Sequence, residues 1–258
     1  MRRVIDRRQL IQRCACAALG GVAWARYGSA WGQGAPLPDM KPQQVAPGCW
    51  FVEGLSALGS PANQNFISNA GFVVTSAGVV VIDALGSPAL AERLVAEIKK
   101  ITPQKITHVV LTHYHADHVY GLQVFEKLGA RIIAHQAGRE YLYADTARLR
   151  LEQSRKDLAP WIDEQTHLAA ATEWIDARRE LTVGDTRLVI QPVGPAHTPE
   201  DLAVYLPDKK VLYAGDLVFA AASLLWGRPT AATGSSRSTS CWRLTPPWSC
   251  PAMARRRP

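Results

Sequence analysis

Between residues 112 and 118 the chain reads Thr112-His113-Tyr114-His115-Ala116-Asp117-His118, followed by Gly121. Three imidazoles and a carboxylate crowded into one short stretch point to a bound ion, because burying such groups together without a partner is costly. Neutral imidazole and carboxylate are the usual donors to zinc. In a loop alternate residues converge, so His113 and His115 can face one ion. Asp117 and His118 then face a position a few ångströms away, which is the arrangement of a two-metal site.

The elements around this stretch can be read from periodicity. The apolar run at 106–111 predicts a strand that ends where the histidines begin. Upstream, strands are expected at 50–52, 66–75 and 79–82, with Ser76-Ala77-Gly78 as a hairpin turn. Ser87-Pro88 then opens a helix in which Leu90, Leu94, Val95 and Ile98 share a face and Lys99 and Lys100 lie near the C-terminus. A helix at 119–128 and a strand at 131–134 continue the alternation of a layered α/β protein. Residues 137–168 are charged and read as helical, with Leu158 and Trp161 as anchors, and strands return at 187–193, 203–206 and 211–214. Two blocks of sheet with helices outside predict an αββα sandwich with its site where strands end. The rhythm stops after Phe219, so the last helix and strand are expected to be missing or disordered.

Charge excludes one function class. The chain of 258 residues carries a net charge of +7, but residues 1–30 hold six Arg against one Asp and residues 227–258 hold six Arg and no acid. Removing those +5 and +6 contributions leaves about −4 for residues 31–226, so the basic character belongs to the ends and nucleic acid is not an expected partner. Residues 1–30 run from Arg2, Arg3, Arg7, Arg8 and Arg13 through an apolar segment to Gly28, Ser29 and Ala30, the order of a secretory signal, and Arg7-Arg8 resembles a twin-arginine signal. A periplasmic or secreted protein is expected, with cleavage after Ala30 and no stable membrane anchor afterwards. Residues 31–48 read as a linker, 49–219 as the domain and 220–258 as an aberrant tail. Cys14, Cys16, Cys49, Cys241 and Cys250 do not form a disulfide framework or zinc knuckle, and Cys49 reads as a buried thiol at a strand start.

The His113-x-His115-x-Asp117-His118 motif after a strand resembles the signature of the metallo-β-lactamase superfamily. Two later segments match that family's order: Gly194-Pro195-Ala196-His197-Thr198-Pro199-Glu200-Asp201 and Tyr213-Ala214-Gly215-Asp216. The resemblance implies that His113, His115 and His197 hold a first zinc, and that Asp117, His118 and Asp216 hold a second, with Asp216 shared. It also implies a water made nucleophilic at neutral pH, since such ions lower its pKa toward ~7, and a catalytic Asp117 that orients this water and passes a proton to the leaving group. Asp83 resembles a family carboxylate that holds a ligand in place, though a plain strand-end Asp is an equal alternative. His108 and His135 read as packing or hydrogen-bonding residues, and His167 has no ligand partner nearby.

These features predict a zinc-dependent hydrolase acting on a small ester, thioester or lactam, similar to the glyoxalase-II-like and periplasmic groups associated with sulfur or quinoprotein oxidation. A β-lactamase is the first alternative, although Asp216 stands where one lactamase subclass places Cys. A metal-binding remnant is the second, because the family closes its second site with a further His in a Pro-Gly-His-Gly-like turn and no His follows His197. The second zinc site is therefore expected to be incomplete. The codons behind the tail offer an explanation. Read from the third base of each codon, Met253-Ala254 becomes Gly, and residues 247–253 permit Val-Val-Val-Pro-Gly-His. A frameshift between Phe219 and Trp226 is expected on that ground.

Overall fold

A computed structural model of the chain describes residues 39–218 and the backbone of 241–243. The expected signal segment, the interval of the expected frameshift and most of the tail lie outside the described residues. The first sheet has seven strands in sequence order: β1 (Gln43–Ala46), β2 (Cys49–Val52), β3 (Ala70–Thr75), β4 (Gly78–Ile82), β5 (Ile106–Val110), β6 (Arg131–His135) and β7 (Glu173–Ile175). β1 to β4 form antiparallel ladders, whereas β4 to β7 pair in parallel. Parallel neighbours require crossovers. These are supplied by α1 (Pro88–Ile101), α2 (Ala116–Val119), α3 (Leu122–Lys127), α4 (Gly138–Leu142) and α5 (Asp145–Asp157).

The second sheet contains β8 (Arg179–Val183), β9 (Thr186–Pro192), β10 (Leu202–Leu206), β11 (Val211–Tyr213) and β12 (Cys241–Arg243), all antiparallel. The sheets pack face to face through one core. Phe51, Val73, Val80, Ile82, Val110 and Ile133 of the first meet Leu188, Ile190, Val204, Leu206, Val211 and Tyr213 of the second. Strand alternation turns Val81, Val109 and Ile132 the other way, and they too are fully buried, on the helix-covered side. The result is the expected α/β sandwich, a mixed sheet packed on an antiparallel one, and all five described α-helices belong to the first sheet's connections.

Helix α1 shows why the local sequence folds as it does. Ser87 accepts a hydrogen bond from Leu90 N at 3.3 Å, Pro88 occupies the first turn, and Lys99 and Lys100 sit at the negative end of the helix dipole. Leu90, Leu94, Val95 and Ile98 are buried, each contributing roughly 1.5–3 kcal/mol.

The structure corrects several boundaries. β1 lies inside residues 31–48, read as linker, and pairs with β2, so the sheet begins before Cys49. The helix expected at 119–128 is confined to Leu122–Lys127, with Val119 ending the preceding short helix, and Gly121 between them has no room for a Cβ beside Ala84 O. Residues 158–168 are not helical, residues 66–69 precede β3 rather than belong to it, and β7 and β8 were not expected. Beyond Phe219, where no strand was expected, β12 pairs with β11 as the last strand of the second sheet.

Candidate metal centre

The site is assembled where β4, β5 and β11 end and where β9 leads into β10. Asp83 follows β4 with φ of 63°, a left-handed conformation that Asp adopts more readily than most residues. That turn, held by Asp83 N donating to Val110 O at 3.0 Å, points its buried carboxylate back at the loop after β5. There it accepts from Thr112 N at 2.8 Å and from Thr112 Oγ1 at 2.9 Å, and faces His118 Nδ1 at 2.9 Å. The loop is tied to the second sheet by Leu202 N donating to Thr112 O at 2.8 Å. The His197 segment is closed by Asp201, which accepts from Thr198 N and Thr198 Oγ1, each at 2.8 Å. Gly215 has φ of 53°, and a Cβ there would lie 2.7 Å from Thr112. Only glycine lets Asp216 approach the histidine loop so closely.

These contacts set the imidazole tautomers. A carboxylate only accepts, so His118 Nδ1 donates to Asp83. The Thr112 hydroxyl gives its single proton to Asp83 and therefore accepts from His113 Nδ1 at 3.0 Å. Both rings thus turn Nε2 into the site, where His113 Nε2 is buried without a hydrogen-bond partner and His118 Nε2 faces only candidate-ligand carboxylates, with Asp216 Oδ1 nearest at 3.2 Å. Orphaned buried nitrogens are costly in a site that stays empty and are what a metal requires of its ligands.

The sequence-predicted residues converge as two groups that share one member. His113, His115, His197 and Asp216 form one, and Asp117, His118 and Asp216 the other, with the donor atoms of each within 4.8 Å of one another. Asp216 Oδ2 stands 3.9 Å from His113 Nε2 and 3.6 Å from His197 Nε2, while its Oδ1 stands 3.2 Å from His118 Nε2. Asp117 Oδ2 lies 3.6 Å from His118 Nε2, and His197 Nε2 lies 2.9 Å from His115 Nδ1. Asp117 opens α2, whose start is fixed by Ser68 Oγ donating to the Asp117 carbonyl. The donor set fits a pair of divalent cations.

The electrostatics agree with that fit. Burial, then the His118 charge, drives His113 down to about 2, so its ring is neutral and available as a ligand. Burial also opposes charge on His118, but Asp83 and Asp117 outweigh it and hold that imidazole well above its ordinary value. Asp216 is likewise opposed by burial and is held below the ordinary carboxylate range by His118, its main favourable partner. The same carboxylates that favour a proton on His118 favour a cation at its Nε2. A bound cation takes the place of that proton.

The remaining histidines stay outside. His108 bonds Thr107 at 2.9 Å, His135 accepts from Ala137 N at 3.2 Å, and His167 faces Glu126 at 3.1 Å on the surface. Cys49 is a fully buried thiol that burial pushes up to about 11. Sequence reasoning did not single out Thr112 or Asp201 as positioning residues. Thr112 adjoins the motif and Asp201 ends one, and that adjacency was the available signal.

With this geometry in view, the likenesses to known proteins are specific. The family model described as "Metallo-beta-lactamase superfamily" matches residues 64–245. The chain is 26% identical over 183 residues to a "Metallo-beta-lactamase type 2" from Bacillus cereus, covering 71% of this chain and 63% of that protein. It is 28% identical over 179 residues to the protein of the same name from Bacillus sp. (strain 170), covering 69% and 62%. The match thus spans about three fifths of those relatives' length. Among solved structures, metallo-beta-lactamase IND-7 shares the fold with a TM-score of 0.57 at 22% identity, covering 73% of this chain and 76% of that one.

Proposed function

The chain belongs to the Metallo-beta-lactamase superfamily, and from that membership we propose that it is a zinc-dependent hydrolase of a small ester, thioester or lactam. The observation that carries this reading is the Asp216 carboxylate, which turns one oxygen toward His118 and the other toward His113 and His197. In this reading His113, His115 and His197 hold one ion, and Asp117, His118 and Asp216 hold the other. When bound, such ions polarise a carbonyl and bring the pKa of a bound water toward ~7.

The chain's own residues do the rest. Asp83 and Thr112 fix the His118 and His113 rings, so that ligand nitrogens face inward without reorganising. Asp117 lies at the edge of the centre with its side chain 23% exposed, and, unlike Asp216, it is not shared between the two groups. It accepts a hydrogen bond from the attacking water, takes its proton and delivers it to the leaving group. Residues 1–30 suit export to the periplasm, where such an enzyme meets external substrates. Among the described residues no helix is long and apolar enough to cross a membrane.

A β-lactamase is the second reading, favoured by the names of the Bacillus relatives. The general hydrolase stands first because Asp216 occupies the place where one lactamase subclass carries Cys. The test is zinc-loaded protein given a chromogenic cephalosporin and an acyl thioester in parallel. Turnover of either that is lost in Asp117→Asn supports the hydrolase, and turnover of the cephalosporin in preference to the thioester supports the second reading. Fully loaded protein that turns over neither contradicts both.

A further inference from the structure

Helix α5 presents three arginines with different surroundings. Arg148 is paired with Glu152 at 2.7 Å and with Asp145 at 3.5 Å. Arg155 donates to Asp163 O at 2.9 Å and to Thr166 O at 2.8 Å. Arg150 lies between them, is exposed, and has no ion-pair or hydrogen-bond partner among the described residues.

Its position is set by the helix. Arg150 precedes Ser154 by four residues, so the two side chains leave the same face. Ser154 Oγ lies 3.0 Å from Tyr120 OH, and Tyr120 caps α2, which carries Asp117 and His118. The face of α5 that bears Arg150 thereby packs on the end of the helix that carries Asp117 and His118. Electrostatics agree: the Arg150 charge reaches His115, Tyr120 and Tyr141. His115 is partly exposed and its neighbour His197 is exposed, so this flank is the open side of the centre.

We infer that Arg150 is the anion-binding residue of the site and that the substrate carries a carboxylate, which this guanidinium receives while the reacting acyl group sits at the metal centre. A planar, permanently charged fork left unpaired between two engaged arginines suits bidentate capture of a carboxylate. This deepens the hydrolase reading and rests on it, because Arg150 positions the substrate and takes no part in proton transfer.

The test uses zinc-loaded full chain and two hydrolysis-resistant anilides of matched size, succinanilic acid with its free carboxylate and neutral butyranilide, each titrated by calorimetry. Wild type should bind the acid about tenfold or more tightly than the neutral anilide, the size expected of one charge-assisted contact. Arg150→Gln should erase that margin with zinc content unchanged, and Arg150→Lys should keep part of it. A margin that survives Arg150→Gln, or is absent from wild type, overturns the inference. Binding is read without turnover, so protein that shows the Arg150-dependent margin yet hydrolyses neither cephalosporin nor thioester counts against the hydrolase reading alone.

Discussion

Asp83 Oδ2 lies 2.9 Å from His118 Nδ1, and the same carboxylate accepts from both the amide and the hydroxyl of Thr112. One buried group thus orients a candidate ligand of the second ion directly and, through Thr112, a candidate ligand of the first. The left-handed backbone at Asp83 makes this reach possible, and it places control of the whole centre at the end of β4.

Asp83→Asn should therefore weaken zinc binding at the second group by about 10–100-fold, as loss of a partner behind a metal ligand does. Asp83→Ala should also destabilise the fold by roughly 1–3 kcal/mol, because Thr112 N is left buried and unpaired. Competition titration against a chromophoric chelator and urea denaturation measure the two effects. Unchanged affinity in both variants would show that Asp83 does not act on the metal.

Metal-free protein should show the Asp216 and His118 pair in its pH dependence. Asp216 is depressed below its ordinary 3.8, with burial overcome by His118. His118 is raised well above 6.5, with burial overcome chiefly by Asp83 and Asp117. A depressed acid contributes stability above 3.8 that disappears as pH falls through its folded value, and a raised base contributes stability below 6.5 that disappears as pH rises through its own. The pair's contribution is complete between those limits. In chelator-treated samples, the stability gap between wild type and Asp216→Asn should be largest there and shrink toward alkaline pH. A gap independent of pH contradicts the pairing.

Legibility in the sequence followed locality. His113, His115, Asp117 and His118 were readable because they are close in sequence and follow an apolar strand. His197 and Asp216 come from loops brought in by the second sheet, and only their resemblance to family motifs linked them to the first four. Asp83 remained ambiguous because its role depends on a left-handed turn that composition does not announce. β1 was missed because Pro42, Pro47 and Gly48 bracket a short run with no clear alternation, and β7 is three residues long. Arg150 had no sequence signal, since its significance lies in the helix's other two arginines being engaged while it is not.

We propose that the reading frame of the gene changes between Phe219 and Trp226. The second group has only three donors among the described residues, Asp117, His118 and Asp216, and no His follows His197. Resequencing across that interval should reveal a shift whose continuation encodes a Pro-Gly-His-Gly-like turn. An unshifted frame through Pro258, or a shifted one without that turn, contradicts the proposal.

Two unequal metal sites that share Asp216 are tested most directly by zinc titration of metal-free protein against a chromophoric chelator. The first group offers three imidazoles and a carboxylate, while the second offers one imidazole and two carboxylates. Wild type should therefore take up one zinc tightly and a second more weakly. His113→Ala should lose the tight ion, whereas Asp117→Ala should keep it and lose turnover. A His113→Ala protein with wild-type stoichiometry and affinity would contradict the assignment of the centre.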